Sequence, residues 1–172
     1  MANASMSATN QYLAFRLGDE LYAIDVANAR EIVEQSAVTR LPKTPVWMRG
    51  LINLRGNVLP VIDLKMKLGM GATLETVDTC TIVVEVTLDG ELYVVGLLAD
   101  SVSEVFELAE AQMEAAPQFG TRLSTEFIKG MGRVGQNLII LLDAESVFTG
   151  ERVVPTVAEE GEEEPAEAAA PN

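Results

Sequence analysis

No histidine occurs anywhere in the 172 residues. That removes the usual general base, the usual activator of a nucleophile and the commonest transition-metal ligand. Cys80 is the single cysteine, so neither an intramolecular disulfide nor a multi-cysteine metal site can form. Within Asp78-Thr79-Cys80-Thr81-Ile82-Val83-Val84 it reads as a small buried apolar residue. Long hydrophobic runs are missing too. The chain is 48% hydrophobic with a mean hydropathy of +0.20, yet nothing approaches the roughly 20 apolar residues of a membrane-spanning helix. Its richest stretch, residues 92–99, has the length of a buried strand. No GxxxxGK[ST] loop, no GxGxxG following a strand, no GxSxG elbow and no calcium-loop spacing of carboxylates is found. A catalytic role is therefore not expected, and neither is a cofactor or a metal. Residues 1–10 carry no Lys or Arg and no apolar centre, so no secretory signal is expected and a cytoplasmic location is.

The formal net charge is −14, whereas a nucleic-acid binder needs a basic face. The distribution says more than the total. Residues 155–172 hold six Glu and no base, while residues 30–67 carry seven bases (Arg30, Arg40, Lys43, Arg49, Arg55, Lys65, Lys67) against three acids (Glu31, Glu34, Asp63). The basic stretch is either ordinary solvated turns or a face for an acidic partner protein. The Glu, Ala and Pro bias of 153–172 predicts a disordered acidic tail, and the small polar residues of 1–10 predict a frayed start. The folded body is expected over residues 11–152.

Within that body short apolar strands alternate with turn residues, the pattern of an all-β barrel or sandwich. Gly18-Asp19 and Asp89-Gly90 each separate two strand-like runs, and Asp-Gly is the stronger hairpin signal. Short helical turns are expected over residues 26–32, 45–49 and 64–68, the last stopped by Gly69. The two halves of the body resemble each other. Residues 49–63 align with 129–143: a base and a glycine open a strand, a glycine-containing turn follows, and an apolar strand closes on Asp63 or Asp143, with equal spacing from Gly50 and from Gly130. Glu20-Leu21-Tyr22 is echoed by Glu91-Leu92-Tyr93. A duplication of this kind predicts two small barrels of similar topology, roughly residues 18–80 and 81–150, with the strand 11–17 completing the second.

These residues resemble the CheW family of chemotaxis coupling proteins. The resemblance runs from about Tyr12 to Phe148 and rests on Tyr22-Ala23-Ile24-Asp25-Val26, Arg30-Glu31-Ile32, Leu41-Pro42 with Pro45, Gly50-Leu51-Ile52-Asn53-Leu54-Arg55-Gly56, Leu59-Pro60-Val61-Ile62-Asp63-Leu64 and Leu138-Ile139-Ile140-Leu141-Leu142-Asp143, in the family's order. It implies two packed five-stranded SH3-like β-barrel subdomains. It also implies a non-catalytic adaptor that couples the cytoplasmic tip of transmembrane chemoreceptors to the regulatory domain of the chemotaxis histidine kinase in membrane-associated arrays, without inserting in the membrane itself. Ala29 stands where many members have Val, and the acidic tail matches no role in the family.

The residues themselves leave each candidate two readings. Arg55, at the tip of Leu54-Arg55-Gly56-Asn57, is either a solvated turn arginine or a planar fork for a partner's carboxylate or carbonyls; the resemblance makes it a docking residue. Glu31 is either a surface charge paired with Arg30 or Arg55 or, by resemblance, part of the same receptor/kinase-binding surface. Gly50 is carried over to that surface too, although a purely conformational role explains it as well, and Arg49 beside it reads as an electrostatic contact. Phe119, in the irregular stretch Ala116-Pro117-Gln118-Phe119-Gly120, either folds back on its barrel or anchors an interface; the resemblance implies contact with the kinase in a ring. Trp47 is assigned to packing. The rival readings are a small-ligand-binding β-barrel, which needs an enlarged apolar cavity, and a carboxylate enzyme, which needs clustered buried acids.

Overall fold

A computed structural model of the protein describes residues 9–34, 37–115 and 127–148. Ten strands form two five-stranded sheets, each one of two small barrels. The terminal barrel has the order β8 (Ser101–Ala109), β1 (Thr9–Leu17), β2 (Glu20–Asp25), β10 (Asn137–Leu142), β9 (Ile128–Val134); the central barrel has the order β3 (Ala29–Glu34), β6 (Cys80–Leu88), β7 (Glu91–Ala99), β5 (Asn57–Asp63), β4 (Met48–Leu54).

The two orders are the same pattern. β1–β2 matches β6–β7, β3 matches β8, and the hairpin β4–β5 matches β9–β10, but each leading hairpin completes the barrel built by the other half. After β2 the chain crosses into the central barrel at β3, and after β7 it crosses back at β8. A division near residue 80 is therefore corrected. It follows the sequence repeat but cuts β3–β5 from β6–β7, which share one sheet, and it separates β2 from its barrel. The strand 11–17 does join the C-terminal strands, and it brings β2 with it through the antiparallel register Leu17↔Glu20 to Tyr12↔Asp25.

The exchange is held by a shared core. In β1 the odd positions Leu13, Phe15 and Leu17 face the other barrel, while Tyr12 and Ala14 fill the terminal barrel with Ala23, Phe106, Leu108, Ile139 and Leu141. In β6 the even positions Ile82, Val84 and Val86 enter the shared core, and Val83 packs inside the central barrel with Ile52, Leu59, Val61 and Leu98. Strands buried on both faces lose the polar alternation of an ordinary half-exposed strand, which is why both read as near-continuous apolar runs. Each fully buried Leu, Ile or Phe contributes about 1.5–3 kcal/mol, and the shared cluster is the largest, so the barrels stabilise one another. Cys80 is buried as expected; burial pushes its thiol up, helped by the charges of Glu34 and Asp78.

Two of the three helical turns need correction. Val26–Asn28 forms a 3-10 turn, capped where Asp25 Oδ1 accepts from the Ala27 N–H at 2.9 Å, but residues 29–32 belong to β3. There the β-branched Ile32 and Val33 find β6 as a partner. Residues 45–48 close a single hydrogen-bonded turn, the Met48 N–H donating to the Pro45 carbonyl at 3.0 Å, and β4 begins at Met48. The third expectation holds: Leu64–Lys67 is α1, with Asp63 as its N-cap, and Gly69 follows at φ 80°. Among the described residues no helix is long and apolar enough to cross a membrane.

Candidate functional site

The β4–β5 hairpin turns at Arg55 (φ 52°) and Gly56 (φ 89°), flanked by the pair Leu54↔Asn57. Positive φ at both turn positions matches the right-handed twist of the strands it joins, and the Asn53 side-chain oxygen accepts from the Gly56 N–H at 2.9 Å. Arginine is not a residue that this conformation favours. The turn aims it across the barrel mouth, where its Nη2 donates to Glu31 Oε2. Glu31 stands on β3 in the same inward row as Val33, beyond the register shift between Ala29 and Glu31 against β6. The hydrogen bond and the charge of Glu31 hold the Arg55 guanidinium above its usual range. The Arg55 side chain is 69% exposed and that of Glu31 32%.

Around this pair lies an open groove of about 400 Å³. Leu54, Leu59, Val83 and Val94 line it from the barrel wall. Val58 (56% exposed) and Leu92 (61%) line it as well, and Arg30, bonded to Glu85 at 2.9 Å, adds a second guanidinium. Exposed apolar groups ringed by oriented charged ones are the makings of a protein-docking surface. Sequence reading did not single out Val58, Leu92 or Arg30 as contacts. Leu92 carried a signal: it continues the inward row of Val94 and Leu98 past the point where the barrel can cover it.

Arg49 and Gly50 are placed elsewhere. Arg49 sits at the register shift between Met48 and Gly50. Its side chain, 15% exposed, reaches Asp63 Oδ2 at 3.2 Å and donates to the Thr73 carbonyl at 2.8 Å. Asp63 is buried and also accepts from the Thr73 hydroxyl (2.7 Å) and N–H (2.9 Å). The expected electrostatic contact of Arg49 is therefore spent inside the protein, tying β4 and β5 to the loop after α1. Gly50 has φ 147°, and a Cβ there would stand 2.3 Å from the Thr39 carbonyl oxygen. Thr39 and Leu51 exchange backbone hydrogen bonds of 2.8 Å across this close approach. The close approach imposes a conformational requirement at Gly50. Phe119 lies outside the described residues.

The readings by interior ligand and by carboxylate chemistry meet specific obstacles. Val, Ile and Leu side chains fill the interior of the central barrel. Asp63 is the one buried carboxylate among the described residues, and its oxygens are committed to Arg49 and Thr73.

Comparison with known proteins adds an independent line. A family model described as a CheW-like domain matches residues 11–152. The chemotaxis protein CheW of Klebsiella aerogenes is 35% identical over 150 residues, covering 87% of this chain and 88% of that one; the chemotaxis protein CheW of Thermotoga maritima is 32% identical over 141 residues, covering 80% and 87%. The crystal structure of the scaffolding protein TtCheW from Thermoanaerobacter tengcongensis superposes with a TM-score of 0.74 at 32% identity, covering 84% of this chain and 98% of the other. With paired barrels of the same architecture, a family model spanning the folded body and relatives matched over most of their length, the chain belongs to the CheW family.

Proposed function

We propose that this chain is a non-catalytic scaffold that couples the cytoplasmic tip of chemoreceptors to the regulatory domain of the chemotaxis histidine kinase, within arrays at the cytoplasmic face of the membrane. The observation that carries the reading is the Arg55–Glu31 pair. A guanidinium is held in a costly turn conformation at the rim of an exposed groove, next to Val58 and Leu92, where it adds little to the fold and is oriented toward solvent. Glu31 pre-orders the fork, so a partner need not meet the full entropy cost of fixing it. Gly50 and Arg49 serve the same surface indirectly, by setting the hairpin that presents Arg55. Phe119 is assigned the kinase contact that closes a ring. Coupling itself requires that the scaffold bind the active and inactive states of its partners with different free energy.

The test is a pair of titrations, with a receptor cytoplasmic fragment and with the isolated kinase regulatory domain. Arg55→Glu should weaken receptor binding about thirtyfold, as hot-spot changes commonly do, and shift Tm by no more than about 2 °C. Unchanged affinity for both partners would overturn the reading.

A further inference from the structure

At the opposite end of β4 from Arg55, the connection between β3 and β4 exposes two cations, Arg40 and Lys43, that have no ion-pair partner among the described residues. In this respect they differ from Arg30, Arg49, Arg55 and Lys65, each of which faces a carboxylate. The same connection carries Val46, 78% exposed, and the half-buried Trp47, over whose ring Lys67 Nζ sits at 4.1 Å. The surface is thus basic and apolar together, and the docking groove does not use it.

One segment of this chain has the matching chemistry in the matching order. Past Phe148 the sequence runs Val153, Val154 and Val157, then Glu159, Glu160, Glu162, Glu163, Glu164 and Glu167, with no base after Arg152. We propose that residues 153–167 dock on the β3–β4 connection, the valines against Val46 and Trp47 and the glutamates against Arg40, Lys43 and Lys67, shielding this basic face from acidic partners. Reach does not forbid it. Phe148 and Trp47 belong to one packed cluster, and the chain from Phe148 to Glu159 spans up to about 36 Å when extended, more than twice the radius of gyration of roughly 14 Å for a body of this size. Tethering raises the effective concentration of the acidic segment to the millimolar range. The attraction should therefore hold at low ionic strength and fade as the Debye length shrinks.

The single tryptophan makes this testable in the full-length chain. Amide resonances of Arg40 and Lys43 and the indole N–H of Trp47 would be compared between the wild type and a full-length variant in which Glu159, Glu160, Glu162, Glu163, Glu164 and Glu167 are all Gln. At about 20 mM salt the three signals should differ between the two proteins, and by about 500 mM they should converge. Introducing Arg40→Glu and Lys43→Glu into both should abolish the difference. Coincident spectra at low salt would overturn the proposal. So would a difference that survives the Arg40 and Lys43 changes, which places the acidic segment elsewhere, or one that grows with protein concentration, which makes the occupant a second copy.

Discussion

The hairpins β4–β5 and β9–β10 are the same object built twice. Gly50 faces Val61 as Gly130 faces Leu141, and a register shift falls at each basic residue, Arg49 in one and Lys129 in the other. Leu51 exchanges backbone hydrogen bonds with Thr39 as Met131 does with Glu114, and the N–H groups of Asp63 and Asp143 donate to the carbonyls of Trp47 and Phe127. They part at the tip and at the base. Where the first hairpin turns on Arg55-Gly56, the second turns on Gly135-Gln136, with Gly135 in the positive-φ position at 65°. Where Arg49 is clamped to buried Asp63, Lys129 reaches Asp25 at 3.8 Å, and Asp143 caps the turn after it through the Glu145 N–H at 3.1 Å. The backbone thus needs neither arginine. One has been recruited to lock the central barrel and the other to present a charge at its mouth.

The comparison can be broken at several points. The largest expected effect is Gly50→Ala, which combines a disfavoured φ with an overlap against backbone and should cost roughly 4 kcal/mol. At Gly130 the added Cβ would stand 3.1 Å from the Glu114 carbonyl oxygen and the Met113 side chain, with no positive φ, so Gly130→Ala should cost only about 1 kcal/mol. Urea midpoints of the two variants check this, and equal losses would mean that the hairpins are strained alike.

Next comes Asp63→Asn, which leaves Arg49 buried without its counter-charge and should destabilise by about 3 kcal/mol. Asp143→Asn removes a capping carboxylate and should cost about 1 kcal/mol or less, again read from urea midpoints.

A smaller effect on stability, with a large one on binding, is expected for Arg55→Gly, which gives the first tip the residue that opens the second. Relief of the backbone offsets the lost pair with Glu31, so Tm should move by no more than about 2 °C. Receptor-fragment affinity should nonetheless fall as in Arg55→Glu. Retained affinity would show that the hairpin's shape matters and its guanidinium does not.

The smallest effect concerns Cys80, which stands at the start of β6 where the matching strand β1 begins with Thr9. A thiol raised by burial contributes stability that is complete below its ordinary pKa and is lost as pH rises through the higher folded value, because the unfolded chain releases its proton first. As pH rises past the ordinary thiol range, wild type should therefore lose more stability than Cys80→Ala. Parallel curves of urea midpoint against pH would remove this role for the thiol.

By itself the sequence determined the strand class, the hairpins at Asp89-Gly90 and Arg55-Gly56, and the duplication that aligns residues 49–63 with 129–143. All of these depend on residue type or on periodicity within a few positions, where local sterics decide. Arg55 and Glu31 were legible as candidates, but Arg30, Arg55 and solvent were all open to Glu31 until the barrel brought β3 to the tip of β4–β5. Only the tertiary structure could turn Arg49 inward, since a basic residue beside a glycine reads the same whether Asp63 is buried below it or not. The exchange of leading hairpins was likewise undecided in the chain. β1 and β6 are apolar on both faces, and a strand of that kind satisfies its burial equally well in either barrel. The connections after β2 and β7, and the shared core they close, choose the partner.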